Sequence, residues 1–269
     1  MDRTRKLIKS HIETILLIFG ILISNGASAL ELQWQELTPG VMTARWSYGK
    51  PRRVIHAVKV NLAESSIKVS LSPERIRGST PTEMANELDS IALINASFFN
   101  GAYSALGTTM SDGVEWKAVY NKSEATGILA CTEANQCRIY HQRVPVNAHW
   151  DMAVSGIYPL INDGKPRSNS DDQKCGNFCA FTHPRTAVGL SADNRTLYFV
   201  IAEGRQFDLP GISLAELALQ MHEIGIYNAM NLDGGGSTGL VIDKTLINKR
   251  PANEPIERKV ASSIAITKR

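Results

Sequence analysis

The sequence has no large excess of charge of either sign. Its 29 Lys and Arg side chains nearly balance 26 Asp and Glu side chains, and the formal net charge is +3. Nucleic-acid-binding surfaces concentrate basic charge, so this near-balance argues against nucleic acid as a partner. Only 20% of the residues are charged and 43% are hydrophobic, which excludes intrinsic disorder and allows a substantial core.

Internal repeats, low-complexity tracts and an obvious interdomain linker are also absent from the sequence. A single domain is therefore the simplest prediction for a chain of this length. No dense run of oxygen ligands such as an EF-hand loop is present, so no metal or other cofactor is predicted. Calcium held by acidic side chains and backbone carbonyls stays open.

The apolar run 15–23 is too short to cross a bilayer as a permanent helix, which takes about 20 residues. Four basic residues precede this run, and Ala27-Ser28-Ala29 after it has the small-residue spacing that signal peptidase cleaves. This order predicts a signal peptide over residues 1–29 and an exported domain, periplasmic or secreted, over residues 30–269. Cleavage would leave 25 basic and 24 acidic groups, a net charge of +1. An uncleaved anchor is the alternative.

Cysteine is scarce, with four residues in the whole chain. In an exported protein an even count favours disulfides, and of the three possible pairings we expect Cys131–Cys137 and Cys175–Cys179, which are closest in sequence. A metal site is the alternative, because Cys175, Cys179 and His183 would align on one helix face. Helix-breaking residues between and after them argue against that helix.

Local patterns predict more strand than helix. Segments rich in β-branched residues predict strands over 54–60, 67–71, 91–98, 196–202, 240–242 and 260–267. Thr80-Pro81-Thr82-Glu83 has the signature of a capping box and predicts a helix ending near Leu88. A second capped helix begins after Ser213 and should end at Gly225. The predicted class is α+β, a mixed strand-rich sheet with a few packed helices.

A strand, helix, strand unit occupies residues 196–232. Its first strand ends in Glu203-Gly204-Arg205, and its second leads into Asp233-Gly234-Gly235-Gly236-Ser237. If the two strands are parallel neighbours, Glu203 and Asp233 meet at the carboxyl edge of the sheet, where such folds bind ligands. The three glycines would let backbone amides approach an anion. A plain glycine-rich hairpin is the alternative.

Two further segments occur in order before this one: Asn95-Ala96-Ser97-Phe98-Phe99-Asn100 and Pro184-Arg185-Thr186-Ala187-Val188-Gly189. With Asn231-Leu232-Asp233-Gly234-Gly235-Gly236-Ser237 they resemble the phosphodiester glycosidase family, over about residues 54–266. The resemblance implies a hydrolase that cleaves a sugar-1-phosphodiester of an envelope or extracellular glycan. The chain departs from the family pattern at Ala96 and Ser97, which replace two glycines, and at Glu203, which replaces aspartate.

The chemistry of such a substrate suggests a role for each candidate. A phosphate monoester leaves readily as an anion, so the site should mainly stabilise charge. Asp233 is the candidate to attack the anomeric carbon or activate water, with Glu203 as a second carboxylate. Phosphate would be bound by two arginines and the glycine turn: Arg185, Arg205, Gly234, Gly235, Gly236 and Ser237. Asn95 would either hold a sugar hydroxyl or orient Asp233. Phe99 would face the sugar ring.

Each candidate also has a purely structural interpretation. Asp233 could form a turn with its own backbone, and Arg185 could pair with a surface acid. Two other functions therefore remain open. One is a non-catalytic envelope protein that binds anionic glycans, and the other is a phosphodiesterase that cleaves the P–O bond. In each case we expect a monomer without a stable membrane span after signal cleavage.

Overall fold

The computed structural model describes residues 32–117, 119 and 127–269, so the predicted signal peptide lies outside the described residues. The described part contains eighteen strands and four α-helices. The strands are β1 Gln35–Thr38, β2 Val41–Tyr48, β3 Arg53–Asn61, β4 Ile67–Leu71, β5 Ala92–Asn95, β6 Thr109–Ser111, β7 Val114–Glu115, β8 Gly127–Cys131, β9 Cys137–Tyr140, β10 Met152–Gly156, β11 Pro159–Asn162, β12 Lys165–Pro166, β13 Arg185–Leu190, β14 Thr196–Ala202, β15 Asn228–Leu232, β16 Leu240–Ile242, β17 Thr245–Leu246 and β18 Ser263–Lys268. The helices are α1 Pro81–Glu87, α2 Asn169–Cys175, α3 Asn177–Ala180 and α4 Leu214–Glu223.

The strands form three sheets. An eight-stranded sheet has the order β1-β2-β3-β14-β13-β15-β11-β12, and two five-stranded sheets have the orders β7-β6-β10-β8-β9 and β17-β16-β5-β18-β4. All the strand pairs of these sheets are antiparallel. This single, strand-rich domain confirms the predicted α+β class.

The predicted elements are confirmed where the signal is local. The predicted strands 67–71, 196–202 and 240–242 coincide with β4, β14 and β16. The predicted strand 91–98 was too long, because β5 ends at Asn95 and the chain then turns to make a bridge from Phe99 to Ala105. The strand predicted from residue 260 begins only at Ser263.

The two helix starts follow the capping prediction. At α1 the Thr80 hydroxyl accepts a hydrogen bond from the Glu83 amide, and the Glu83 carboxylate accepts one from the Thr80 amide. At α4 the Ser213 hydroxyl accepts from the Glu216 amide, but the Glu216 carboxylate binds Arg53 instead of closing the box. Gly225, with φ +89°, follows the end of α4 as predicted.

The eight-stranded sheet is buried on both faces. Along β14, Phe199 and Ile201 belong to a core shared with the two smaller sheets. Val200 and Ala202, which point the other way, belong to a second core that includes the apolar face of α4. Burial on both faces explains why β14 is almost entirely apolar after Thr196 although its neighbours are antiparallel.

Strands β14 and β15 are not direct neighbours, because β13 lies between them. Arg185 pairs with Ala202 of β14, and Thr186 pairs with Leu232 of β15. Since β13 is antiparallel to both strands, β14 and β15 run in the same direction. The carboxyl ends of β14 and β15 therefore lie at one edge of the sheet, and Arg185, the first residue of β13, lies between them at the same edge.

Both predicted disulfides are present, Cys131–Cys137 and Cys175–Cys179. The metal alternative for Cys175, Cys179 and His183 is therefore wrong, because both thiols are consumed by the bridge. Across the described ranges, no group of three or more His, Cys, Asp or Glu side chains could hold a metal ion. None of the helices described here is both long and apolar enough to span a membrane.

Candidate active site

Two adjoining cavities open at the sheet edge where β14 and β15 end. The first, of about 210 Å³, is lined by three arginines and the glycine turn and is called the arginine cavity below. The second, of about 440 Å³, is lined mainly by aromatic and aliphatic side chains and is called the aromatic cavity. Phe98, Phe178, Asp233 and Arg258 line both.

Asp233 directly follows β15 and is half-buried where the two cavities meet. Its amide donates to the Ala96 carbonyl, which ties the end of β15 to the end of β5. Burial raises the pKa of Asp233 to about 6, although hydrogen bonds from Ser237 and from the Gly234 amide and the charge of Arg258 oppose the shift. The carboxylate can therefore gain or lose a proton near neutral pH.

Asn95 is buried next to Asp233, and both the nitrogen and the oxygen of its side-chain amide are hydrogen-bonded. Its Nδ2 donates to the Asp233 carbonyl at 2.6 Å, and its Oδ1 accepts from the Thr186 hydroxyl at 2.9 Å and the Gly239 amide at 3.1 Å. With 1% of its surface exposed, Asn95 cannot reach a sugar hydroxyl. Of its two predicted roles, the geometry favours the orientation of Asp233.

Arg185 lies between the ends of β14 and β15 and lines the arginine cavity, where it is 3% exposed. Its Nε donates to the Ile212 carbonyl, and its Nη2 donates to the carbonyls of Phe178, Cys179 and Phe181. Burial lowers the pKa of Arg185 to about 10, which the nearby Asp172 only partly offsets. The guanidinium is thus a buried cation without a bonded carboxylate among the described residues.

Two amides of the glycine turn already have partners within the protein. The Gly234 amide binds the Asp233 carboxylate, and the Gly235 amide donates to the Pro184 carbonyl at 2.9 Å. The backbone has to be glycine here, because a Cβ on Gly234 would lie 2.8 Å from the Pro184 carbonyl oxygen.

The other predicted binding residues line the two cavities. Arg205 lines the arginine cavity, and its Nη2 lies 3.4 Å from Nδ1 of His183. Ser237 and Phe99 line the aromatic cavity, where the Phe99 ring stacks on Tyr103 with 5.5 Å between centroids. The structure therefore brings Asp233, Arg185, Arg205 and the glycine turn together, with Phe99 in the adjoining cavity.

Glu203 is not among the residues that line these cavities. It is 4% exposed, and its Oε1 binds Nε2 of His56 at 2.8 Å and accepts from the Lys249 amide at 3.3 Å. Burial alone would raise the pKa of Glu203, but the hydrogen bond and charge of His56 outweigh it and the pKa is lowered. Among the described residues that line the two cavities, Asp233 alone carries a carboxylate.

Sequence reasoning did not propose several residues that line the cavities, and four of them carry a ring or a charge. Phe98 and Phe178 line both cavities, and their rings lie 6.3 Å apart. Arg258 also lines both and is ion-paired with Glu254. His183 lines the arginine cavity, where burial and then the charges of Arg185 and Arg205 lower its pKa. Phe98 could have been found from the sequence, since it adjoins Phe99 in the same motif.

The arrangement combines an anion site with a neighbouring apolar chamber. Arg185, Arg205 and Arg258 surround a space that suits a phosphate group, because guanidinium groups bind phosphate oxygens in a fork. The aromatic cavity can hold a ring-shaped group against Phe98 and Phe99. A carboxylate with a pKa near neutrality lies at the junction, where it can act on the atom that connects the two groups.

Comparison with known proteins agrees with this geometry. The family model described as phosphodiester glycosidase matches residues 89–267. The chain is 30% identical over 199 residues to the SPbeta prophage-derived uncharacterized protein YomE of Bacillus subtilis strain 168. This alignment covers 70% of this chain and 29% of YomE. It is 34% identical over 112 residues to mouse N-acetylglucosamine-1-phosphodiester alpha-N-acetylglucosaminidase, or 38% of this chain and 21% of the mouse protein. The matches thus span less than a third of either relative.

Solved structures share the fold. The catalytic domain of the zebrafish N-acetylglucosamine-1-phosphodiester alpha-N-acetylglucosaminidase, auto-inhibited by its pro-peptide, aligns with a TM-score of 0.71 at 19% identity, over 89% of this chain and 88% of that one. A hypothetical protein from Synechocystis aligns with a TM-score of 0.64 at 15% identity, over 90% of this chain and 65% of its own. Because the family model covers well over half of the sequence, the chain belongs to the phosphodiester glycosidase family.

Proposed function

We propose that this protein is an exported hydrolase that cleaves a sugar-1-phosphodiester between the anomeric carbon and the phosphate oxygen. The observation that carries the proposal is the position of Asp233 at the junction of the arginine and aromatic cavities. The name of the mouse relative, an N-acetylglucosamine-1-phosphodiester hydrolase, supports the same substrate class. Export is supported by the two disulfides, which persist in oxidising compartments.

In the proposed complex the phosphate occupies the arginine cavity and the sugar ring occupies the aromatic cavity. Arg185, Arg205 and Arg258 then bind the phosphate oxygens and stabilise the charge that develops as the bond to the sugar breaks. The sugar packs on Phe98 and Phe99. This placement puts the anomeric carbon next to Asp233.

Asp233 then acts on the attacking side of the reaction, either as the nucleophile or as the base that deprotonates water. Most glycosidases need a second carboxylate to protonate the leaving group. A phosphate monoester leaves as a stabilised anion and needs little protonation. The presence of a single carboxylate among the described cavity residues is therefore consistent with a phosphate leaving group.

For Glu203 we propose a positioning role in place of direct contact with the substrate. Its carboxylate joins His56 of β3 to the Lys249 amide, and so connects the sheet to the segment that leads to Arg258. The sequence-based assignment of Glu203 as a second catalytic carboxylate stays a prediction. A Glu203→Gln variant tests it, because a positioning role predicts a raised KM with a largely retained kcat.

The proposed function is tested with Asp233→Asn on an N-acetylglucosamine-1-phosphodiester, by measuring released reducing sugar and substrate binding separately. We expect turnover to fall by about 10²–10⁴-fold because the attacking group loses its basicity, while binding persists. Asp243→Asn, in the turn between β16 and β17, is the matched control and should keep full activity. A wild-type protein that binds such substrates but turns over none of a broad panel would instead be a non-catalytic glycan-binding protein.

A further inference from the structure

The guanidinium of Arg185 depends on the loop that carries the Cys175–Cys179 disulfide. Three of its four carbonyl partners belong to α3 or to the residue after it: Phe178 at 2.7 Å, Cys179 at 3.4 Å and Phe181 at 2.9 Å. We call these three carbonyls the cradle. Because Arg185 has no ion pair among the described residues, the cradle is the main restraint on where its charge lies in the arginine cavity.

Helix α3 has only four residues, Asn177–Ala180. A single helical turn is unstable by itself, because nucleation fixes several dihedral angles for very few hydrogen bonds. It is separated from α2 by Gly176 alone, which has φ +86°. The disulfide joins the last residue of α2 to the third residue of α3 and therefore fixes the turn from which the cradle carbonyls project.

Helix α2 is anchored to the rest of the fold through Asp172. Asp172 is 2% exposed, and its carboxylate accepts from the Ala215 amide at 2.8 Å and from Nε of Arg167 at 2.5 Å. The first of these contacts ties α2 to the start of α4. The disulfide thus connects a fixed helix to the short turn that holds Arg185.

The same turn places a ring in the site. The Phe178 ring lies over the Arg185 guanidinium, 5.3 Å from its Cζ, and contacts the rings of Phe98 and Tyr158 at 6.3 and 5.8 Å. Phe178 lines both cavities although 43% of its surface is exposed. Loss of the turn would therefore remove the cradle and one wall of the site together.

We propose that the Cys175–Cys179 disulfide is a positioning element of the anion site, and that its loss weakens phosphate binding by releasing Arg185 and Phe178. This inference rests on the proposed function, in which Arg185 binds the phosphate of the substrate. It makes full activity depend on an oxidising compartment. The disulfide is a positioning element and not a catalytic one, because it acts through Arg185.

The chain provides a matched control in its other disulfide. Cys131 and Cys137 join neighbouring strands β8 and β9 of a different sheet and line neither cavity. Their removal changes the core of the protein without touching the cradle. A Cys131→Ala, Cys137→Ala double variant therefore separates a general loss of stability from a specific loss of anion binding.

The test compares wild type with both double alanine variants in three measurements: Tm, binding of inorganic phosphate by calorimetry, and KM and kcat. For Cys175→Ala with Cys179→Ala we expect phosphate affinity to fall and KM to rise by at least about tenfold, the equivalent of one charge-assisted hydrogen bond. The Cys131→Ala, Cys137→Ala control should keep the phosphate affinity and the KM of wild type, whether or not its Tm falls. Unchanged phosphate affinity in the Cys175→Ala, Cys179→Ala protein, or an equal loss in both variants, would overturn the proposal.

A second measurement avoids the possibility that the variant does not fold. Cys175 is partly exposed whereas Cys131 and Cys137 are buried, so brief treatment of native wild type with dithiothreitol should reduce Cys175–Cys179 first. The reagent gives two electrons and two protons to the bridge, forming two thiols and its own cyclic disulfide. Phosphate affinity should fall and return on reoxidation with oxidised glutathione. Retained affinity with both thiols shown free by alkylation would overturn the proposal.

These readouts also separate this proposal from the proposed function. If wild type binds phosphate, loses that affinity when the Cys175–Cys179 disulfide is removed, and hydrolyses no sugar-1-phosphodiester, the proposed function fails and the positioning proposal stands. If wild type hydrolyses the substrate and loss of the disulfide leaves KM unchanged, the positioning proposal fails and the proposed function stands.

Discussion

At the scale of single residues, burial sets the pKa of Asp233, the proposed catalytic carboxylate. An exposed aspartate has a pKa of 3.8, whereas burial at the junction of the two cavities raises the pKa of Asp233 to about 6. Its hydrogen bonds to Ser237 and the Gly234 amide reduce this shift but do not cancel it. The sequence motif singles out Asp233 as the candidate, but the burial of Asp233 depends on β5 and β13 and is not visible in the motif.

The raised pKa predicts how activity depends on pH. Asp233 must be ionised to attack carbon or to accept a proton from water, so kcat/KM should fall as pH drops below about 6. A pH–rate profile on a sugar-1-phosphodiester measures this limb directly. A limb near pH 4, the ordinary aspartate value, would contradict the assigned environment.

The same pKa shift predicts a gain in stability on removal of the charge. Below pH 3.8 the Asp233 side chain is protonated in both the folded and the unfolded protein. Between pH 3.8 and about 6 it loses its proton only in the unfolded chain. The folded wild type therefore loses stability as the pH rises through this range. Asp233→Asn does not titrate and should be more stable than wild type by up to about 3 kcal/mol at neutral pH. Thermal unfolding at several pH values checks this, and a difference already present at low pH would refute the explanation.

Asn95 shows why a polar residue lies inside an apolar strand. Its amide satisfies the Asp233 carbonyl, the Thr186 hydroxyl and the Gly239 amide together. Asn95→Ala leaves these buried groups unpaired and should lower the free energy of unfolding by about 3 kcal/mol. Asn86→Ala on the exposed side of α1 is the control and should change it by less than about 0.5 kcal/mol. Denaturant unfolding of the two variants measures both, and similar values would contradict the network.

The residues that the sequence did not reveal are those without a local signal. Arg258 stands in the run Glu257-Arg258-Lys259, which looks like an ordinary solvated charge cluster. Phe178 lies between the cysteines of a polar loop. Both enter the site only through contacts between segments far apart in sequence, so no spacing rule could assign them.

At the scale of elements, local signals were reliable and strand order was not. Caps and disulfides involve residues a few positions apart, and Thr80, Ser213 and both cysteine pairs were predicted correctly. The position of β13 between β14 and β15 depends on which apolar strands pair across the sheet. Adjacent sequence motifs carry little information about this choice, so the sequence did not show that β13 separates the two strands that end at the shared edge.

The segment after β14 returns to the sheet edge and supports Arg185 from a second side. His183 and Ile212 exchange two backbone hydrogen bonds, and the Ile212 carbonyl accepts from Nε of Arg185. Gly211, with φ +100°, precedes Ile212, and a Cβ there would lie 2.4 Å from the His183 carbonyl. The close approach of these segments therefore requires glycine at this position.

A pair of glycine variants tests this support. Gly211→Ala should separate the two segments and weaken phosphate binding by at least about tenfold, by displacing a hydrogen bond to a charged group. Gly225→Ala also meets a positive φ, of 89°, but finds no atom within 4 Å, so it should cost only about 1–2 kcal/mol of backbone strain and leave phosphate affinity unchanged. Calorimetry with inorganic phosphate distinguishes the two, and equal affinities would contradict the role of this segment.

At the scale of the whole molecule, the proposed binding of phosphate depends on where the arginines lie and not on net charge. The full chain has a formal charge of only +3, so the overall field steers an anionic substrate weakly. The eight-stranded sheet, packed on both faces, brings Asp233 and Arg185 to one edge from strands far apart in sequence. A solved catalytic domain of the family shares this fold, and in our proposal the disulfide next to Arg185 holds the phosphate-binding guanidinium in place within it.

The central claim is that the bond broken lies between the anomeric carbon and the phosphate oxygen. Hydrolysis by the wild-type protein in oxygen-18 water tests it, with mass spectrometry of both products. Attack at the anomeric carbon by Asp233 or by water predicts the label at the C1 hydroxyl of the released sugar and unlabelled phosphate monoester. Label in the phosphate would show P–O cleavage and contradict the account.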